Sequence, residues 1–336
     1  MTVTETPEAA DAAMIEAARG RLAGHIRRTP LLSSPVLDEI AGRRVLVKAE
    51  CLQHTGSFKA RGAWSAVSAL ARQVRARGVI AYSSGNHAQG VAHAARAHGV
   101  PAVIVMPADA PRLKIETTRA LGAEVVLYDR ANFESREEIG ARIAAERGLT
   151  LIKPYDDPLV IAGQGTAGLE IAEQAAEAGV AEADVLVCAG GGGLSAGIAL
   201  ALEARAPGLR VRPAEPAGYD DWARSLLSGR RERNAVEAGG FCDAILTPEP
   251  GALTFPILAR RAGPGLVVTD DEVRRAMALA FTRLKIAAEP GGAVALAAAL
   301  FRGEEIAGEA VIATVTGGNA DPALFAEVLA QAPVQG

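Results

Sequence analysis

Four consecutive glycines stand at positions 190–193, between a predicted strand and a predicted helix. The apolar run VLVCA predicts a buried strand before them, and a helix is expected to begin near Leu194 and Ser195. Glycine lets the backbone approach an anion closely, and a helix start presents free N–H groups and the positive end of its dipole. A tight turn would need a single glycine, so four in a row indicate a phosphate-binding loop.

The same loop permits a second interpretation. Gly191, Gly193 and Ala196 satisfy the relaxed dinucleotide-binding pattern G-x-G-x-x-G/A. Glu215 ends the next predicted strand about 20 residues further on, where an acid can bind a ribose hydroxyl. A nicotinamide-dependent oxidoreductase is therefore an alternative, although it leaves the motifs described next without a role.

A lysine follows a short polar turn in the segment ECLQHTGSFKARGA. Thr55, Gly56 and Ser57 predict a turn in which Ser57 caps a helix that begins at Phe58. Lys59 then lies in the first helical turn, where the dipole disfavours a cation. This position favours the neutral amine that a Schiff-base lysine needs. A single lysine at a helix start is more often a solvated surface residue, so its assignment depends on the other motifs.

A polar loop of five residues, Ser83, Ser84, Gly85, Asn86 and His87, follows another predicted strand and opens a helix. Hydroxyl, amide and backbone N–H groups converge in such a loop, as a carboxylate-binding site requires. An ordinary helix cap needs one serine, so we interpret the loop as a carboxylate site.

Two further motifs have a similar composition. GQGT at 163–166 precedes a predicted helix over 167–178, and TGGN at 316–319 follows a predicted strand. Ligands of open α/β folds bind at the carboxyl ends of parallel strands, so we expect these motifs to lie together there. One lysine, one phosphate loop, one carboxylate loop and one terminal hydroxyl are what pyridoxal phosphate with an amino-acid substrate requires.

The elements that would position these motifs alternate between strand and helix. Strands are predicted at 78–83, 102–106, 125–128, 184–189, 210–214 and 311–316, and helices at 88–98, 112–120, 135–147 and 194–204. This spacing predicts βαβ units and mostly parallel sheet. Because no long linker separates two halves, we expect a large domain of residues 1–68 and 152–336, with a small substrate-side domain of residues 69–151 inserted into it.

Length and composition exclude several classes. A chain of 336 residues predicts about two domains, and 35 Lys plus Arg against 39 Asp plus Glu argue against a nucleic-acid or membrane-surface protein. The longest apolar run, residues 293–301, is far shorter than the roughly 20 residues of a membrane-spanning helix. No secretory signal is recognisable, and the three cysteines are isolated, so we expect a cytoplasmic protein. Since the chain ends soon after TGGN, we expect no appended regulatory domain.

The motifs SFKARGA, SSGNHAQGVA, GQGT, GGGGLSAG, AEPAGYDD, EPGGAVALAA and TGGN resemble those of fold-type II pyridoxal-phosphate enzymes, and the resemblance extends over residues 20–330. The nearest groups are the threonine/serine dehydratases and the serine racemases. The resemblance implies an α/β, tryptophan-synthase-β-like fold with two parallel-sheet domains, the small one inserted in the large one. It also implies an amino-acid substrate and a homodimer or homotetramer, with no nucleic-acid or membrane partner.

The resemblance also assigns roles to single residues. Lys59 matches the lysine that binds pyridoxal 5'-phosphate, and Phe58 the residue beside the cofactor ring. Asn86 would contact the ring hydroxyl, Glu289 would lie near the cofactor, and Thr316, where serine is usual, would meet the ring nitrogen. The phosphate would be bound by Gly190, Gly191, Gly192, Gly193 and Leu194. The substrate carboxylate would be bound by Ser83, Ser84, Gly85, Asn86 and His87, with Ser84 also as the acid/base opposite Lys59.

A divalent-cation site is implied by the motif AEPAGYDD. Glu215, Tyr219 and Asp221 match the family's ligands, and two carboxylates with the Tyr219 carbonyl are hard oxygen ligands that suit Mg²⁺ or Ca²⁺. A solvated acidic turn is the alternative. Glu215 separates the two cofactor hypotheses, since it is a cation ligand in one and a ribose ligand in the other.

Three positions differ among members of the family or depart from its usual pattern. Arg136 matches an arginine that racemases and hydroxyaspartate-acting members have near the substrate side chain, where it could pair with a second carboxylate. A helix-surface arginine is the alternative. Glu249 replaces a residue that is usually small and polar, and Lys153 replaces a frequent histidine.

The activity that this set of residues predicts is β-elimination. We expect dehydration of L-threonine or L-serine to a 2-oxo acid and ammonia, with Lys59 removing the α-proton. Dehydration of 3-hydroxyaspartate, which would use Arg136, and racemisation of serine, which would use Lys59 and Ser84, are the alternatives within the family.

Overall fold

The structure, a computed structural model, describes residues 9–110, 112–129, 135–235 and 239–331. Its strands form two sheets, as the alternating pattern predicted. The strands are β1 (Leu31–Leu32), β2 (Arg44–Ala49), β3 (Val79–Tyr82), β4 (Ala102–Pro107), β5 (Glu124–Tyr128), β6 (Thr150–Leu151), β7 (Ala183–Cys188), β8 (Leu209–Pro216), β9 (Leu266–Val268) and β10 (Ala310–Val315).

The larger sheet has six strands in the order β1-β2-β10-β7-β8-β9. All neighbouring pairs are parallel except β1 with β2. Its central strands β7 and β10 are buried along their whole length, as expected where helices cover both faces of a parallel sheet. The smaller sheet has four parallel strands in the order β5-β4-β3-β6, all from the middle of the chain.

The helices connect these strands and cover the sheets. They are α1 (Ala12–Leu22), α2 (Pro35–Ala41), α3 (Lys59–Ala69), α4 (Arg72–Arg77), α5 (Asn86–Ala97), α6 (Arg112–Ala120), α7 (Arg136–Arg147), α8 (Pro158–Glu177), α9 (Gly193–Arg205), α10 (Asp221–Ser228), α11 (Thr254–Arg261), α12 (Asp270–Leu279), α13 (Pro290–Phe301) and α14 (Pro322–Gln331). Small residues dominate the packed faces, and α13 is rich in buried alanines, so the layers approach closely. The α/β class with parallel sheets is therefore confirmed.

The GQGT motif does not form the predicted loop before a helix. It lies inside α8, which begins at Pro158 because Asp157 caps it by accepting from the N–H groups of Leu159 and Val160. The glycines serve helix packing instead: a Cβ on Gly163 would lie 2.7 Å from the Arg61 carbonyl oxygen, and one on Gly165 would lie 2.9 Å from that of Gly197. The sequence prediction of a loop at this motif is therefore wrong.

A buried ion network anchors α3 to α8 and β2. The Arg61 guanidinium donates to both carboxylate oxygens of Glu50 at 2.8 Å and to those of Glu170 at 2.7 and 2.8 Å. Lys48 donates to Glu170 at 2.5 Å and to the Gln174 side chain at 2.8 Å. Removing one partner of such a network leaves a buried charge without compensation, so the network fixes the helix that carries Lys59.

All three cysteines, Cys51, Cys188 and Cys242, are reduced and buried. Burial raises the pKa of the Cys51 thiol to about 12 and also raises that of Cys188. Among the described residues, none of the helices has the length and apolarity that crossing a bilayer would take.

Candidate active site

The glycine loop connects the buried end of β7 to the first turn of α9, as the sequence predicted. Gly192 has φ of 86°, which favours glycine, and α9 starts at Gly193 without a side-chain cap. The Tyr155 ring lies so close that a Cβ on Gly191 would be 2.2 Å from it. The next residue, Leu194, is buried. An uncapped helix start behind a backbone that a Cβ would obstruct fits a phosphate group.

Lys59 is the first residue of α3, and its side chain is directed at the segment before α8. Its Nζ donates to the Pro154 carbonyl at 2.7 Å and lies 5.1 Å from the centre of the Phe58 ring. Burial lowers the pKa of this amine to about 8. The direction agrees with the sequence prediction, although desolvation rather than the helix dipole is the cause.

The position of Lys59 is fixed by the TGGN motif rather than by a Ser57 cap. The Ser57 backbone forms an antiparallel bridge with Gly317, and the Phe58 N–H donates to the Thr316 carbonyl at 3.1 Å. The residue at the cap position is Phe58, which makes no side-chain cap bond. The predicted Ser57 cap is therefore wrong, because pairing with the chain after β10 holds Ser57 extended.

The polar loop after β3 leads into α5, which begins at Asn86. Ser83 Oγ accepts from the Gly85 N–H at 3.2 Å, and Ser84 is half-buried. His87 is buried with Nε2 2.8 Å from the Ile152 carbonyl oxygen, and burial lowers its pKa to about 3. The neutral imidazole, bonded to the Ile152 carbonyl, holds the start of α5 in place. The serines and the helix start remain available to an anion.

Asn86 is held in one orientation by two neighbours. Its Nδ2 donates to Glu289 Oε1 at 2.5 Å, and its Oδ1 accepts from Asn319 Nδ2 at 2.7 Å. Asn319 also donates to the Thr55 carbonyl at 2.8 Å. Burial raises the pKa of Glu289 to about 7. These contacts bring the lysine segment, the SSGN loop and the TGGN motif into one site.

Thr316 lies immediately after β10, buried beside the lysine segment. Its N–H donates to the Gly292 carbonyl at 3.1 Å, and its hydroxyl is within hydrogen-bonding reach of the Cys188 sulfur. A hydroxyl here can meet a ring nitrogen, so the threonine fits the role that serine usually has.

Glu215, near the end of β8, and Asp221, the first residue of α10, lie outside this site. The Glu215 oxygens accept from the Trp222 and Ala223 N–H groups, both at 2.8 Å. Asp221 Oδ1 accepts from Asn234 at 2.6 Å, and its buried Oδ2 has no partner among the described residues. Burial raises the pKa of Asp221 to about 7 and that of Glu215 well above its usual value.

Both oxygens of Glu215 accept from backbone amides, so the carboxylate oxygen of this acidic pair that has no partner among the described residues is Asp221 Oδ2. Hard oxygen ligands suit a divalent ion. The cation site of Glu215, Tyr219 and Asp221 stays a prediction, as does the ribose contact of Glu215. The part of the chain that is described contains no group of three His, Cys, Asp or Glu side chains arranged for a metal.

Arg136 begins α7 and lies close to Tyr155. Its Nε donates to Glu137 at 2.7 Å, and its side chain is 52% exposed. Burial raises the pKa of the Tyr155 phenol, which Arg136 and Arg231 lower and Glu249 raises. Arg231 pairs with Glu249 at 2.9 Å. Two anions, Asp156 and Glu249, and two cations, Arg136 and Arg231, thus act on the phenol whose ring covers Gly191.

Four residues of the site were given no role from the sequence: Tyr155, Trp222, Thr254 and Asn319. Asn319 belongs to the TGGN motif, and Tyr155 follows Pro154, which Lys59 contacts. The sequence around these two residues therefore indicated that they could belong to the site. Trp222 donates to the Gly190 carbonyl and Thr254 to the Gly191 carbonyl. No local sequence pattern predicts contacts between residues so far apart in the chain.

Comparison with known proteins agrees with this geometry. A family model described as pyridoxal-phosphate dependent enzyme matches residues 22–317. The chain is 43% identical to an L-threo-3-hydroxyaspartate ammonia-lyase of a Pseudomonas species, over 92% of this chain and 95% of the relative. A solved threonine deaminase of T.th. is 46% identical, with a TM-score of 0.86 over 93% of this chain and 99% of that one. Maize serine racemase is 36% identical, with a TM-score of 0.88 over 96% and 98%.

Proposed function

The chain belongs to the family of pyridoxal-phosphate dependent enzymes, as its match over residues 22–317 shows, and from this membership we propose that it removes the β-hydroxyl group and ammonia from a 3-hydroxy amino acid. The preferred substrate in this proposal is L-threo-3-hydroxyaspartate. The products are a 2-oxo acid and ammonia.

The proposal assigns the residues of the site to the cofactor and to the substrate. Gly190, Gly191, Gly192, Gly193 and Leu194 bind the cofactor phosphate. Asn86 binds the ring hydroxyl, Thr316 the ring nitrogen, and Phe58 and Glu289 lie beside the ring. Pyridoxal phosphate, when bound, withdraws electrons from the α-carbon of an amino acid and so acidifies the α-proton.

Lys59 is the base that removes this proton. A lysine amine whose pKa is about 8 is far more often neutral near neutral pH than one in water. The loop of Ser83, Ser84, Gly85, Asn86 and His87 holds the α-carboxylate by its hydroxyls, its amide and the N–H groups of the α5 start. In this proposal Ser84 is the acid/base on the face of the substrate opposite Lys59.

The observation that supports a second carboxylate on the substrate is the position of Arg136 near the Tyr155 phenol. The neighbouring Arg231 is already paired with Glu249, so Arg136 supplies the positive charge that a substrate can use. Its exposed pair with Glu137 is worth about 0–1 kcal/mol, so a substrate carboxylate can replace Glu137. The Pseudomonas relative named for L-threo-3-hydroxyaspartate gives independent support.

Release of 2-oxo acid from L-threo-3-hydroxyaspartate, L-threonine and L-serine tests the proposal. Arg136→Ala should lower kcat/KM for hydroxyaspartate about ten- to hundredfold, because a charge-assisted hydrogen bond contributes ~1.5–3 kcal/mol. Activity on L-threonine should change less than about threefold on the same argument. Arg147→Ala is the matched control, since Arg147 is an exposed arginine of the same helix paired with Glu124.

Two results would contradict the proposal. If Arg136→Ala lowers activity on all three substrates equally, the arginine does not bind a substrate carboxylate. If Lys59→Ala retains measurable release of 2-oxo acid while its exposed neighbour Lys153→Ala behaves as wild type, the base is wrongly assigned.

Dehydration of L-threonine or L-serine is the second candidate. The Arg231–Glu249 pair supports it, because Glu249 brings negative charge to the side of the site that a second carboxylate would enter. The 46% identity to a threonine deaminase supports it too. In that case L-threonine leads the substrate panel and Arg136→Ala is neutral.

A further inference from the structure

The carbonyl groups of Gly190 and Gly191, in the glycine loop, are bonded to side chains that the cofactor-binding roles do not include. The Trp222 indole Nε1–H donates to the Gly190 carbonyl at 2.5 Å. The Thr254 hydroxyl donates to the Gly191 carbonyl at 2.7 Å, and the Gly251 N–H reaches the same oxygen at 3.3 Å.

These bonds determine where the neighbouring N–H groups are directed. In a planar trans peptide unit the C=O and the following N–H are directed to opposite sides. A Gly190 carbonyl fixed on Trp222 therefore fixes the Gly191 N–H on the other side, and a Gly191 carbonyl fixed on Thr254 does the same for the Gly192 N–H. Neither N–H group has a backbone acceptor among the described residues.

The indole cannot easily rotate away from Gly190. Trp222 is fully buried, and its ring is so close to Gly192 that a Cβ there would be 2.2 Å from Cζ2. Its own backbone N–H is bonded to Glu215 at 2.8 Å, and its ring packs against Phe255 with centroids 6.3 Å apart. Thr254 is also fully buried.

We propose that Trp222 and Thr254 are positioning residues that hold the glycine carbonyls away from the anion site, so that the N–H groups of Gly191 and Gly192 stay directed at a phosphate monoester. The inference rests on the proposed function only in taking that monoester to be the phosphate of pyridoxal phosphate. A loop of four glycines is otherwise free to turn its peptide units, and each turned unit would present an oxygen to the phosphate.

The test is cofactor affinity without any substrate. Full-length protein is stripped of cofactor by dialysis against hydroxylamine, and the dissociation constants of pyridoxal phosphate and of pyridoxal, which lacks the phosphate, are measured by absorbance. Trp222→Phe removes the indole donor but keeps an aromatic ring. Thr254→Val replaces the hydroxyl by a methyl group of similar size, and Thr254→Ser restores the hydroxyl.

The expected result is a selective loss of phosphate binding. In Trp222→Phe and Thr254→Val the dissociation constant of pyridoxal phosphate rises about tenfold, as the loss of one oriented hydrogen bond predicts. That of pyridoxal changes less than about twofold, and Thr254→Ser behaves as wild type.

Two control variants match the chemistry of the change elsewhere. Trp64→Phe also removes an indole bond to a carbonyl, that of Arg21 at 3.1 Å. Thr247→Val removes a buried hydroxyl that has no partner among the described residues. Both should bind pyridoxal phosphate as wild type does.

The inference is overturned if both variants bind pyridoxal phosphate as wild type does, or if pyridoxal weakens as much as pyridoxal phosphate, which would indicate a general disturbance. No substrate is present in these measurements. If the preferred substrate is not hydroxyaspartate, the inference is therefore unaffected. A wild-type protein that binds both compounds equally would refute the phosphate loop itself and, with it, the proposed function.

Discussion

At the scale of single residues, the site combines groups whose protonation is set by burial. Burial lowers the pKa of the Lys59 amine to about 8, and His87 is kept neutral by burial against a carbonyl. Glu289 is the group with the clearest consequence for pH. Its pKa is raised to about 7 because its carboxyl is desolvated beside Asn86 and Gly317.

We predict that Glu289 makes the cofactor-free protein less stable as pH rises. Between pH 4.5 and 7 the folded state binds more protons at this carboxyl than the unfolded state does, so the free energy of unfolding falls over that window. Glu289→Gln removes this dependence. Urea unfolding at pH 5 and pH 8 measures the change: between these two pH values the free energy of unfolding of wild type should fall by on the order of 2–3 kcal/mol more than that of the variant. Glu304→Gln, a change at an exposed residue, should show the same pH dependence of unfolding free energy as wild type. If Glu289→Gln also shows the wild-type pH dependence, the prediction is contradicted.

The chemistry of individual residues could largely be anticipated from the sequence, because it resides in short motifs. Lys59, Asn86, Glu289 and Thr316 were named from such motifs, and the structure brings them into one site. Trp222 and Thr254 could not be found in this way. Their significance lies in bonds to Gly190 and Gly191 across 32 and 63 residues of chain, and only the folded arrangement reveals these.

At the scale of elements, glycine has two different uses in this chain. In the loop after β7 glycine permits the positive φ of Gly192, whereas in α8 it lets three helices approach one another. Gly163 faces α3 and Gly168 faces α9. The sequence signal is the same in both cases, which is why a loop was wrongly predicted at the GQGT motif, while the strand-to-helix loop predicted at the GGGG motif is present.

Gly163→Ala should therefore destabilise the protein although alanine is the better helix former. The new Cβ would lie 2.5 Å from the Ser65 Cβ, and overpacking of this kind costs about 1–3 kcal/mol. Gly20→Ala is the control, because a Cβ at Gly20 in α1 meets nothing within 4 Å. That variant should gain up to about 1 kcal/mol from helix propensity. Urea unfolding decides, and equal effects of the two substitutions would refute the packing argument.

Strand prediction found the long apolar runs and missed, among others, β2 and the three-residue β9. β7 and β10 were found because their runs are β-branched and apolar. β2 was not, since it carries Lys48, and Glu50 follows it directly. Both charges are buried through bonds to Glu170, Gln174, Arg61 and Thr29, and a buried charge of this kind depends on partners distant in sequence.

At the scale of the whole molecule, the acidic pair at α10 is connected to the active site. Trp222 joins Glu215 to Gly190, and Asn234 joins Asp221 to the carbonyl of Thr247 at 2.9 Å. The predicted division into residues 1–68 with 152–336 and residues 69–151 remains a prediction. The acidic pair lies entirely within the larger of these proposed parts.

We predict that Mg²⁺ or Ca²⁺ stabilises the folded protein through this pair. A cation at a hundred times its dissociation constant would add about 2.7 kcal/mol to the free energy of unfolding, visible as a rise in Tm that a chelator reverses. Asp221→Asn should abolish the rise, while Asp220→Asn, the adjacent acid paired with Arg224, should keep it. A cation-induced rise that survives in Asp221→Asn would assign the site elsewhere.

The three buried thiols have a consequence for following the protein's motions. A thiol whose pKa is raised by burial presents almost no thiolate, so an alkylating reagent reacts with it only after the surrounding segment opens. Cys51 lies at the start of the lysine segment and Cys188 ends the strand before the glycine loop, so each thiol reports on a different side of the site. The alkylation rate of each thiol therefore measures how often the segment around it opens. A ligand that stabilises one of the two segments more than the other would slow alkylation of that thiol more.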